Sequence, residues 1–282
     1  MENNFKNAIT ICMPVYNEEK YIAETIESIV NQACRIIITD NASTDKTGDI
    51  CKKYIQNYPN IEYIRHDTNI GALKNFYYPL SLVNTEFFMW ISGHDIVESN
   101  YTESLIGILN TCPDAVLAYA PCQSFIETNK GEFTYDYWYS YHLSSDDPFE
   151  RVYSLISYLY NCFLIHGVFR TNIIKKSIHQ NPCLAGDHII LTKAAKFGRF
   201  LYYPHTKIYA RTIRKENWEE AKDRTIKDLV GKMDAKLQKD PYLELKQEQY
   251  KIIKSIKTKN YFKKLIYINK ARKKLISMWG AF

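Results

Sequence analysis

The chain has 282 residues, of which 46% are hydrophobic and 24% are charged. This composition excludes a disordered protein, because there are enough apolar side chains for one large core or two small ones. The formal net charge is +6, but residues 251–282 contain ten Lys or Arg and no acid, which leaves −4 for residues 1–250. A basic tail on a mildly acidic body indicates an anionic partner, either nucleic acid or a membrane surface.

Strand-like runs and helical patterns alternate along the first 120 residues. Buried strands are predicted at residues 8–15, 34–39, 61–66, 87–92 and 115–120. Between them, helices are predicted after Asn17, from Asp45 to about Tyr58 with Ser43 and Thr44 as caps, and over 72–83 with a bend at Pro79. Strict alternation predicts crossover connections, and hence a mostly parallel sheet with helices on both faces.

The second half of the chain has a weaker pattern. Residues 127–148 are aromatic and acidic and are predicted to be irregular, whereas 164–169 and 199–204 resemble strands and 185–198 a helix. Residues 152–169 lack formal charge over eighteen positions, close to the length of a membrane span, but polar residues interrupt them. We interpret this run as a buried helix followed by a strand.

From Trp218 onward the pattern is helical and basic. Several apolar side chains alternate with lysines after Tyr250: Ile252, Ile253, Ile256, Tyr261, Phe262, Leu265, Ile266 and Ile268. Two interpretations stay open: an amphipathic helix or helix pair on anionic lipid, or a helix packed on the body with a solvated lysine face.

Cysteine usage and the first residues indicate the compartment. The seven cysteines are scattered without a C-x-x-C pair, and the first residues lack the basic region and long apolar run of a secretory signal. Free thiols without an export signal predict a cytoplasmic protein.

Ligands of parallel sheets bind at the carboxyl ends of the strands. Four polar segments are expected there: PVYNEE (14–19), DNASTD (40–45), HDTNIGA (66–72) and SGHD (92–95). The sequence contains no P-loop, no dinucleotide fingerprint, no G-x-S-x-G elbow and no H-E-x-x-H zinc motif. These absences weigh against ATPases, dehydrogenases, serine hydrolases and zinc proteases.

Each polar segment has both a chemical and a structural interpretation. His94 and Asp95 suit Mn²⁺ or Mg²⁺ held jointly with a diphosphate. Asp187 opens a helix after a glycine, a place from which a carboxylate can act as a general base. Taken singly, these residues and Asp40–Asp45 are better explained as turns and helix caps than as ligand contacts.

In combination, the segments resemble family 2 glycosyltransferases with the GT-A fold. The resemblance rests on PVYNE, DNASTD, an Asn-x-Gly segment, a polar tetrad after an apolar strand and a later Gly-Asp, over about residues 8–212. It implies an α/β fold with a Rossmann-like mixed, mostly parallel sheet flanked by helices. The implied organisation is a glycosyltransferase domain over 1–214, with a nucleotide-sugar-binding half at 1–125 and an acceptor-binding half at 126–214, followed by a helical basic extension at 215–282.

The resemblance assigns the donor site residue by residue. Pro14, Tyr16 and Glu18 fall in the loop that contacts base and ribose, and Asn41, preceded by Asp40, falls on the position that pairs with uracil in many members. The implied nucleotide-sugar contacts are Pro14, Tyr16, Glu18, Asp40, Asn41, Asp67, Gly71, Lys74 and Gly93.

The implied metal site departs from the family pattern. The family's D-x-D motif is replaced by Ser92-Gly93-His94, followed by Asp95. Two alignments stay open, with either His94 or Asp95 as the ligand of Mn²⁺ or Mg²⁺. A neutral imidazole in place of a carboxylate implies weaker and more acid-sensitive metal binding.

The implied reaction is an inverting transfer from a nucleotide-sugar, a UDP-sugar in the first instance, to a glycan or lipid-linked glycan of cell-surface polysaccharide or lipooligosaccharide synthesis. Asp187 is the implied base, His166 and Gly167 lie on the acceptor side, and aromatic residues of 135–141 are placed to stack on the acceptor. The basic tail then implies peripheral association with the anionic inner leaflet and no nucleic acid. A nucleotide-sugar-binding protein that has lost turnover and a nucleic-acid-binding protein that uses the tail are the alternatives.

Overall fold

Strands and helices alternate along the amino-terminal half, as predicted. A computed structural model describes residues 7–127, 133–137, 143–158, 162–181, 183–212, 218–230 and 235–279. The first elements are β1 (Ile9–Val15), α1 (Ile22–Ile29), β2 (Arg35–Asp40), α2 (Thr47–Asn57), β3 (Ile61–Arg65), α3 (Ala72–Tyr77), β4 (Phe87–Trp90), β5 (Ile96–Val97), α4 (Tyr101–Asn110) and β6 (Ala115–Tyr119). The predicted bend at Pro79 is a change from α3 to a 3-10 helix, Tyr78–Leu82.

The second half adds short strands and most of the helical mass. Its elements are β7 (Cys122–Glu127), β8 (Phe133–Tyr137), α5 (Pro148–Tyr158), a 3-10 helix (Phe163–His166), β9 (Val168–Arg170), α6 (Thr171–Ser177), α7 (Gly186–Phe197), β10 (Arg199–Tyr202), β11 (Ile208–Thr212), α8 (Trp218–Val230), α9 (Ala235–Lys239), α10 (Leu243–Lys254) and α11 (Tyr261–Trp279). In the described ranges, no helix has the length and hydropathy needed to cross a bilayer. The uncharged run 152–169 contains the end of α5, as the predicted buried helix, but the strand predicted at 164–169 begins only at Val168, because Phe163–His166 form a 3-10 helix.

The main sheet has seven strands in the order β10-β6-β9-β4-β1-β2-β3. All neighbours are parallel except β9, which is antiparallel to both β4 and β6. Successive residues of β1 face opposite sides: Ile9, Ile11 and Met13 belong to the buried cluster that contains residues of α1, α2 and α4, whereas Cys12 belongs to the cluster that contains residues of α5, α7 and α10. Helix layers on both faces explain why these strands are continuous apolar runs.

A second sheet of four strands, in the order β5-β11-β7-β8, was not predicted. Residues 127–148 were predicted to be irregular, but β7 ends within them and β8 lies wholly inside them. The sheet escapes a hydrophobicity search because β7 places Gln123 and Ser124 among its apolar residues and β5 has only two residues. Such short, partly polar strands depend on partners that are distant in sequence.

The helices after residue 214 pack into the main core. Leu245, Ile252 and Ile253 of α10, with Ala271 and Leu275 of α11, belong to the same cluster of buried residues as Trp90 and Phe169 of the sheet. The predicted boundary at 214/215 therefore does not separate two hydrophobic cores, because α10 and α11 cover α5 and α7.

Gly167 is a sensitive packing position between the 3-10 helix and β9. A Cβ atom there would lie 2.5 Å from the carbonyl oxygen of Ala118 and 2.6 Å from Leu117 Cδ1. We expect Gly167→Ala to lower the free energy of unfolding by about 1–3 kcal/mol, because backbone must shift to admit the methyl group. Chemical denaturation measures this change.

Gly107, inside α4, is the matched control for that substitution. Nothing lies within 4 Å of a Cβ built there. Gly107→Ala should be neutral or stabilising by up to about 1 kcal/mol, since alanine is the better helix former. Equal effects of the two substitutions would contradict the packing role of Gly167.

Candidate active site

The predicted loops meet at one edge of the main sheet. β1 lies between β2 and β4; its last residue, Val15, pairs with the last residue of β2, and Trp90 at the end of β4 pairs with Cys12. Val15 is opposite Asp40, and the N–H of Asn41 donates to the carbonyl of Val15. The loops after β1, β2 and β4 are therefore direct neighbours.

The loops after β1 and β2 are held together by side chains previously considered as helix caps. The Asn17 N–H donates to Ser43 Oγ at 3.0 Å, and the Thr44 N–H donates to Asn17 Oδ1 at 2.8 Å. Neither Ser43 nor Thr44 caps α2, which begins at Thr47 with its N–H bonded to Asp45 Oδ1. The capping prediction was wrong because these groups bond across the two loops instead.

Backbone strain concentrates at the same edge. Asn17, Ala42 and Ala185 have φ angles of 57°, 62° and 57°, and they are the non-glycine residues with positive φ in the part of the chain that the structure describes. Such conformations cost about 1–3 kcal/mol each and are often found at functional sites. Asn17 and Ala42 lie within the polar segments 14–19 and 40–45, and Ala185 lies two residues before Asp187.

Asp40 and Asn41 make internal hydrogen bonds that support the loops. Asp40 is fully buried: one carboxylate oxygen accepts from the Ser43 N–H at 2.8 Å and the other from the Tyr63 hydroxyl at 2.5 Å. Asn41 donates to Asn69 Oδ1 and accepts from the Ile70 N–H. Burial of Asp40 and the bonds of Asn41 show that both side chains also hold the loops in place, and their contact with the nucleotide stays a prediction.

The other predicted donor contacts differ in accessibility. Tyr16 is 45% exposed, and Asp67 and Lys74 are also exposed, so all three side chains can reach a ligand. Pro14 is half-buried within β1. Gly71 is buried with φ 87° and approaches the Leu229 carbonyl of α8, so its role is to allow a close approach of two backbones.

His94 is paired with Glu18 across the loops after β4 and β1. Its Nδ1 lies 2.9 Å from Glu18 Oε1. Burial alone would lower the pKa of His94, but the hydrogen bond to Glu18 and the charges of Asp95 and Glu18 outweigh burial and raise it. The bond uses Nδ1, which leaves Nε2 as the nitrogen available to a metal ion.

Gly93 is fitted closely against this pair. A Cβ atom at Gly93 would lie 2.9 Å from both Glu18 Cγ and Val15 Cγ1. The residue between Ser92 and His94 must therefore be a glycine for Glu18 to reach the imidazole.

Asp95 turns into the protein. Its carboxylate accepts from the Arg211 N–H at 2.9 Å, lies 3.7 Å from His166 Nε2, and has 4% side-chain exposure against 23% for His94. Of the two alignments left open by the sequence, this geometry favours His94 as the ligand and Asp95 as a support.

Arg211 of β11 is a supporting residue that sequence reasoning missed. Its guanidinium lies over the rings of Tyr21 and Phe125, donates to the His94 carbonyl, and pairs with Glu24 at 2.5 Å. Its hydrogen bonds to Asp95 and to the His94 carbonyl thereby hold the 92–95 loop in place. No local signal identified Arg211, since β11 itself was not predicted.

A pocket of about 500 Å³ opens beside this loop. Ser92 and His166 line one part of it, Asp187 and His188 of α7 another, and α3 and α8 close it. His166 Nδ1 lies 3.0 Å from the Trp90 carbonyl oxygen, and only a small part of the imidazole is exposed. Gly167 does not line the pocket.

Asp187 lies in the first turn of α7, beside Cys162 and His188. Burial raises the pKa of Cys162 well above its ordinary value, and the charge of Asp187 and its hydrogen bond to the thiol raise it further. The protonated thiol can therefore donate to the carboxylate. Cys162 was not predicted because it is distant from Asp187 in the sequence, and His188, although it directly follows Asp187, was given no role.

Two groups of side chains can hold a metal ion. The imidazole of His94 oriented by the Glu18 carboxylate has the arrangement found around many metal-bound histidines, and it fits Mn²⁺ or Mg²⁺ if donor oxygens complete the shell. Ligand atoms of Cys162, Asp187 and His188 lie within 4.8 Å of one another, a set suited to a softer ion such as Zn²⁺. The position next to the nucleotide loops makes His94 the better candidate for a donor metal.

The Glu18–His94 pair should make stability depend on pH. Because the pKa of His94 is raised in the folded protein, the pair's contribution is full below the unfolded pKa of about 6.5 and is lost as pH rises through the folded pKa. Glu18→Gln should therefore lower the melting temperature more at pH 5.5 than at pH 9. Thermal unfolding at the two pH values, with Glu103→Gln as a control outside the site, measures the difference.

Comparison with known proteins identifies the family. The model of "Glycosyl transferase family 2" matches residues 10–171. Glycosyltransferase GlyA of Streptococcus pneumoniae is 26% identical over 223 residues, which is 73% of this chain and 31% of that protein. The abequosyltransferase RfbV of Salmonella typhimurium is 39% identical over 93 residues, and the minor teichoic acid biosynthesis protein GgaB of Bacillus subtilis is 29% identical over 136. These two alignments cover 31% and 46% of this chain and 28% and 15% of the relatives, so the chain spans less than a third of each of the three proteins.

Solved structures share the fold. The structure of S. aureus TarS 1-349 in complex with UDP-GlcNAc has a TM-score of 0.68 at 17% identity and covers 96% of this chain and 73% of that one. The mannosyltransferase PcManGT from Pyrobaculum calidifontis, in complex with GDP-Man and Mn2+, has a TM-score of 0.55 at 14% identity, over 96% and 75% of the two chains. With the family match over more than half of the residues, these findings confirm the predicted fold and enzyme class: the chain belongs to glycosyl transferase family 2.

Proposed function

We propose that the protein is an inverting glycosyltransferase that moves a sugar from a UDP-sugar to a hydroxyl of a glycan acceptor in cell-surface polysaccharide or lipooligosaccharide synthesis. One observation supports this above the others: a single pocket brings the Asp187 carboxylate together with Ser92, at the end of β4. A base and the loop expected to hold the diphosphate thus line one cavity.

The chemistry assigned to the chain's own residues is limited and specific. Asp187 takes the proton of the acceptor hydroxyl, whose oxygen forms a bond to the anomeric carbon while the bond from that carbon to the diphosphate oxygen breaks. Attack from the face opposite the leaving group inverts the centre. The Cys162 thiol, kept protonated, orients the carboxylate through its hydrogen bond.

Negative charge grows on the departing nucleoside diphosphate, and cationic groups there lower the barrier. Lys74, exposed on α3, is assigned to this charge, and His94 is assigned to hold Mn²⁺ or Mg²⁺. When bound, such an ion supplies Lewis-acid stabilisation to the diphosphate oxygens. Glu18 keeps the His94 ring in the orientation that presents Nε2.

The proteins to which this chain is similar support the choice of donor and acceptor. A fold neighbour is in complex with UDP-GlcNAc, and GgaB and RfbV are named for teichoic acid biosynthesis and abequosyl transfer. With Asn41 bonded to the neighbouring loop, the base is assigned to the exposed ring of Tyr16. We infer that the acceptor is a glycan or lipid-linked glycan and that the protein works at the inner face of the cytoplasmic membrane.

A thermal-shift screen of nucleotide-sugars, with and without Mn²⁺, tests the donor assignment. A ligand bound at 100 times its dissociation constant stabilises the folded state by about 2.7 kcal/mol. We expect a UDP-sugar to raise the melting temperature more than GDP- or dTDP-sugars, and more with Mn²⁺ than without. A response to none of these would contradict the proposal.

The replacement of the family's acid by His94 supports one alternative, a nucleotide-sugar-binding protein without turnover. Both proteins would respond in the thermal-shift screen. They differ in release of UDP from the stabilising donor with added Mn²⁺: slow donor hydrolysis or transfer that depends on Asp187 excludes the alternative.

A further inference from the structure

Helix α11 is apolar on two opposite faces. Its inner face packs on the body: Ala271 and Leu275 are fully buried, and the Tyr267 ring stacks on Phe149 with centroids 5.8 Å apart. Lys263 forms ion pairs with Asp147 and Glu150 of the body. The position of the helix is therefore fixed without any use of its outer face.

The outer face exposes large apolar side chains to solvent. Tyr261 is 74% exposed, Phe262 77%, Leu265 59%, Ile266 37% and Ile276 39%. At about 100° per residue, these five positions fall within one arc of roughly 140°. A helix already anchored by one apolar face has no folding reason to present a second one, so this stripe indicates a docking surface.

Positive charge accompanies the stripe. Residues 251–282 contain ten Lys or Arg and no acid, and Arg272 and Lys273 are exposed on the same arc as the apolar residues. Apolar side chains beside unopposed basic ones match an anionic lipid surface, where the rings and aliphatic chains enter the interface while the cations meet headgroup phosphates.

We propose that the outer face of α11 is a membrane-docking surface and that its partner is an anionic bilayer. This surface would bring the proposed enzyme to its acceptor. The inference rests on the proposed function in one respect, the expectation that the acceptor lies at a membrane. It combines the two interpretations of the tail that the sequence left open: α10 and the inner face of α11 pack on the body, and the exposed outer face is proposed to meet lipid.

Vesicle co-sedimentation of the full chain tests the surface. We expect binding to phosphatidylcholine vesicles only when phosphatidylglycerol is included, and weaker binding as salt is raised. Phe262→Ser combined with Leu265→Ser should lower the partition coefficient at least about tenfold, because two apolar side chains no longer enter the lipid interface. Ile55→Ser, at a 37% exposed position of α2, is the matched control and should have no effect.

Charge reversal provides the second arm. Arg272→Glu with Lys273→Glu should reduce binding and its salt dependence, whereas Lys52→Glu with Lys53→Glu, exposed on α2, should not. All four substituted α11 positions are exposed, so their melting temperatures should stay near that of the parent chain. The absence of binding to anionic vesicles, or equal binding to neutral ones, overturns the proposal.

Other occupants of the stripe give distinct results. If it covers a second copy of the chain, the serine variant will convert a dimer to a monomer in light scattering; if it covers RNA, the glutamate variant will lose RNA binding and not vesicle binding. Either result overturns the inference. Asp187→Asn should bind vesicles normally, so a failed docking surface and a failed catalytic proposal remain distinguishable.

Discussion

Asp187→Asn should abolish sugar transfer while leaving donor binding intact. Asparagine keeps the size of the side chain and can still accept from the Cys162 thiol, but it cannot take a proton from the acceptor hydroxyl. General base catalysis contributes about 10²–10⁴-fold, so we expect a loss of at least about 10²-fold in kcat. The donor-induced thermal shift should change little, because Asp187 is assigned to the acceptor and not to the nucleotide.

The control must remove a carboxylate without touching the pocket. Asp49 on α2 forms an exposed pair with Lys52 at 4.0 Å, and Asp49→Asn should keep the parent rate. Measurement of UDP release with saturating donor gives both rates. Loss of a general base should reduce kcat at least about 10²-fold. If Asp187→Asn keeps more than about a tenth of the parent kcat, Asp187 is not the base.

The parallel half of the fold was predictable because its strands are buried on both faces. The run Ile36–Ile38 is apolar at every position, so hydrophobicity alone locates the centre of β2. β7, β8 and β11 belong to a sheet whose strands carry polar residues, and β11 pairs with β7 and β5 across long stretches of chain. Local pattern contains little information about such pairing.

The sequence predicted where the candidate site lies better than it predicted the role of each residue in it. A polar residue at a strand end looks the same in the sequence whether it faces a ligand or a neighbouring loop. Asp40 and Asn41 proved to be bonded to neighbouring loops, whereas Asp187 does line the pocket. Partners such as Arg211 and Cys162 come from distant elements, so only the tertiary structure brings them to His94 and Asp187.

His94→Ala should remove the effect of Mn²⁺ on donor binding. The variant lacks the imidazole that Glu18 orients, and loss of a metal ligand or its support costs about 10–100-fold in metal affinity. We expect the ratio of donor Kd without and with Mn²⁺ to fall to near one, with little change in the metal-free Kd. Isothermal titration of UDP in the two conditions measures this ratio, and His205→Ala, at an exposed histidine, should leave it unchanged.

The pH dependence of the same ratio separates His94 from Asp95 as the ligand. Protons compete with metal for an imidazole. Because the Glu18 pair raises the pKa of His94, the effect of Mn²⁺ on donor binding should begin to decrease before the pH has been lowered to 6.5. In His94→Asp, a carboxylate with an ordinary pKa of about 3.9 should keep the effect at pH 5.5. If Asp95 were the ligand, the parent protein would behave at pH 5.5 as it does at pH 8, and His94→Ala would keep its response to Mn²⁺. Burial of Asp95 against Arg211 argues for the first outcome, because the metal would otherwise displace an internal hydrogen bond.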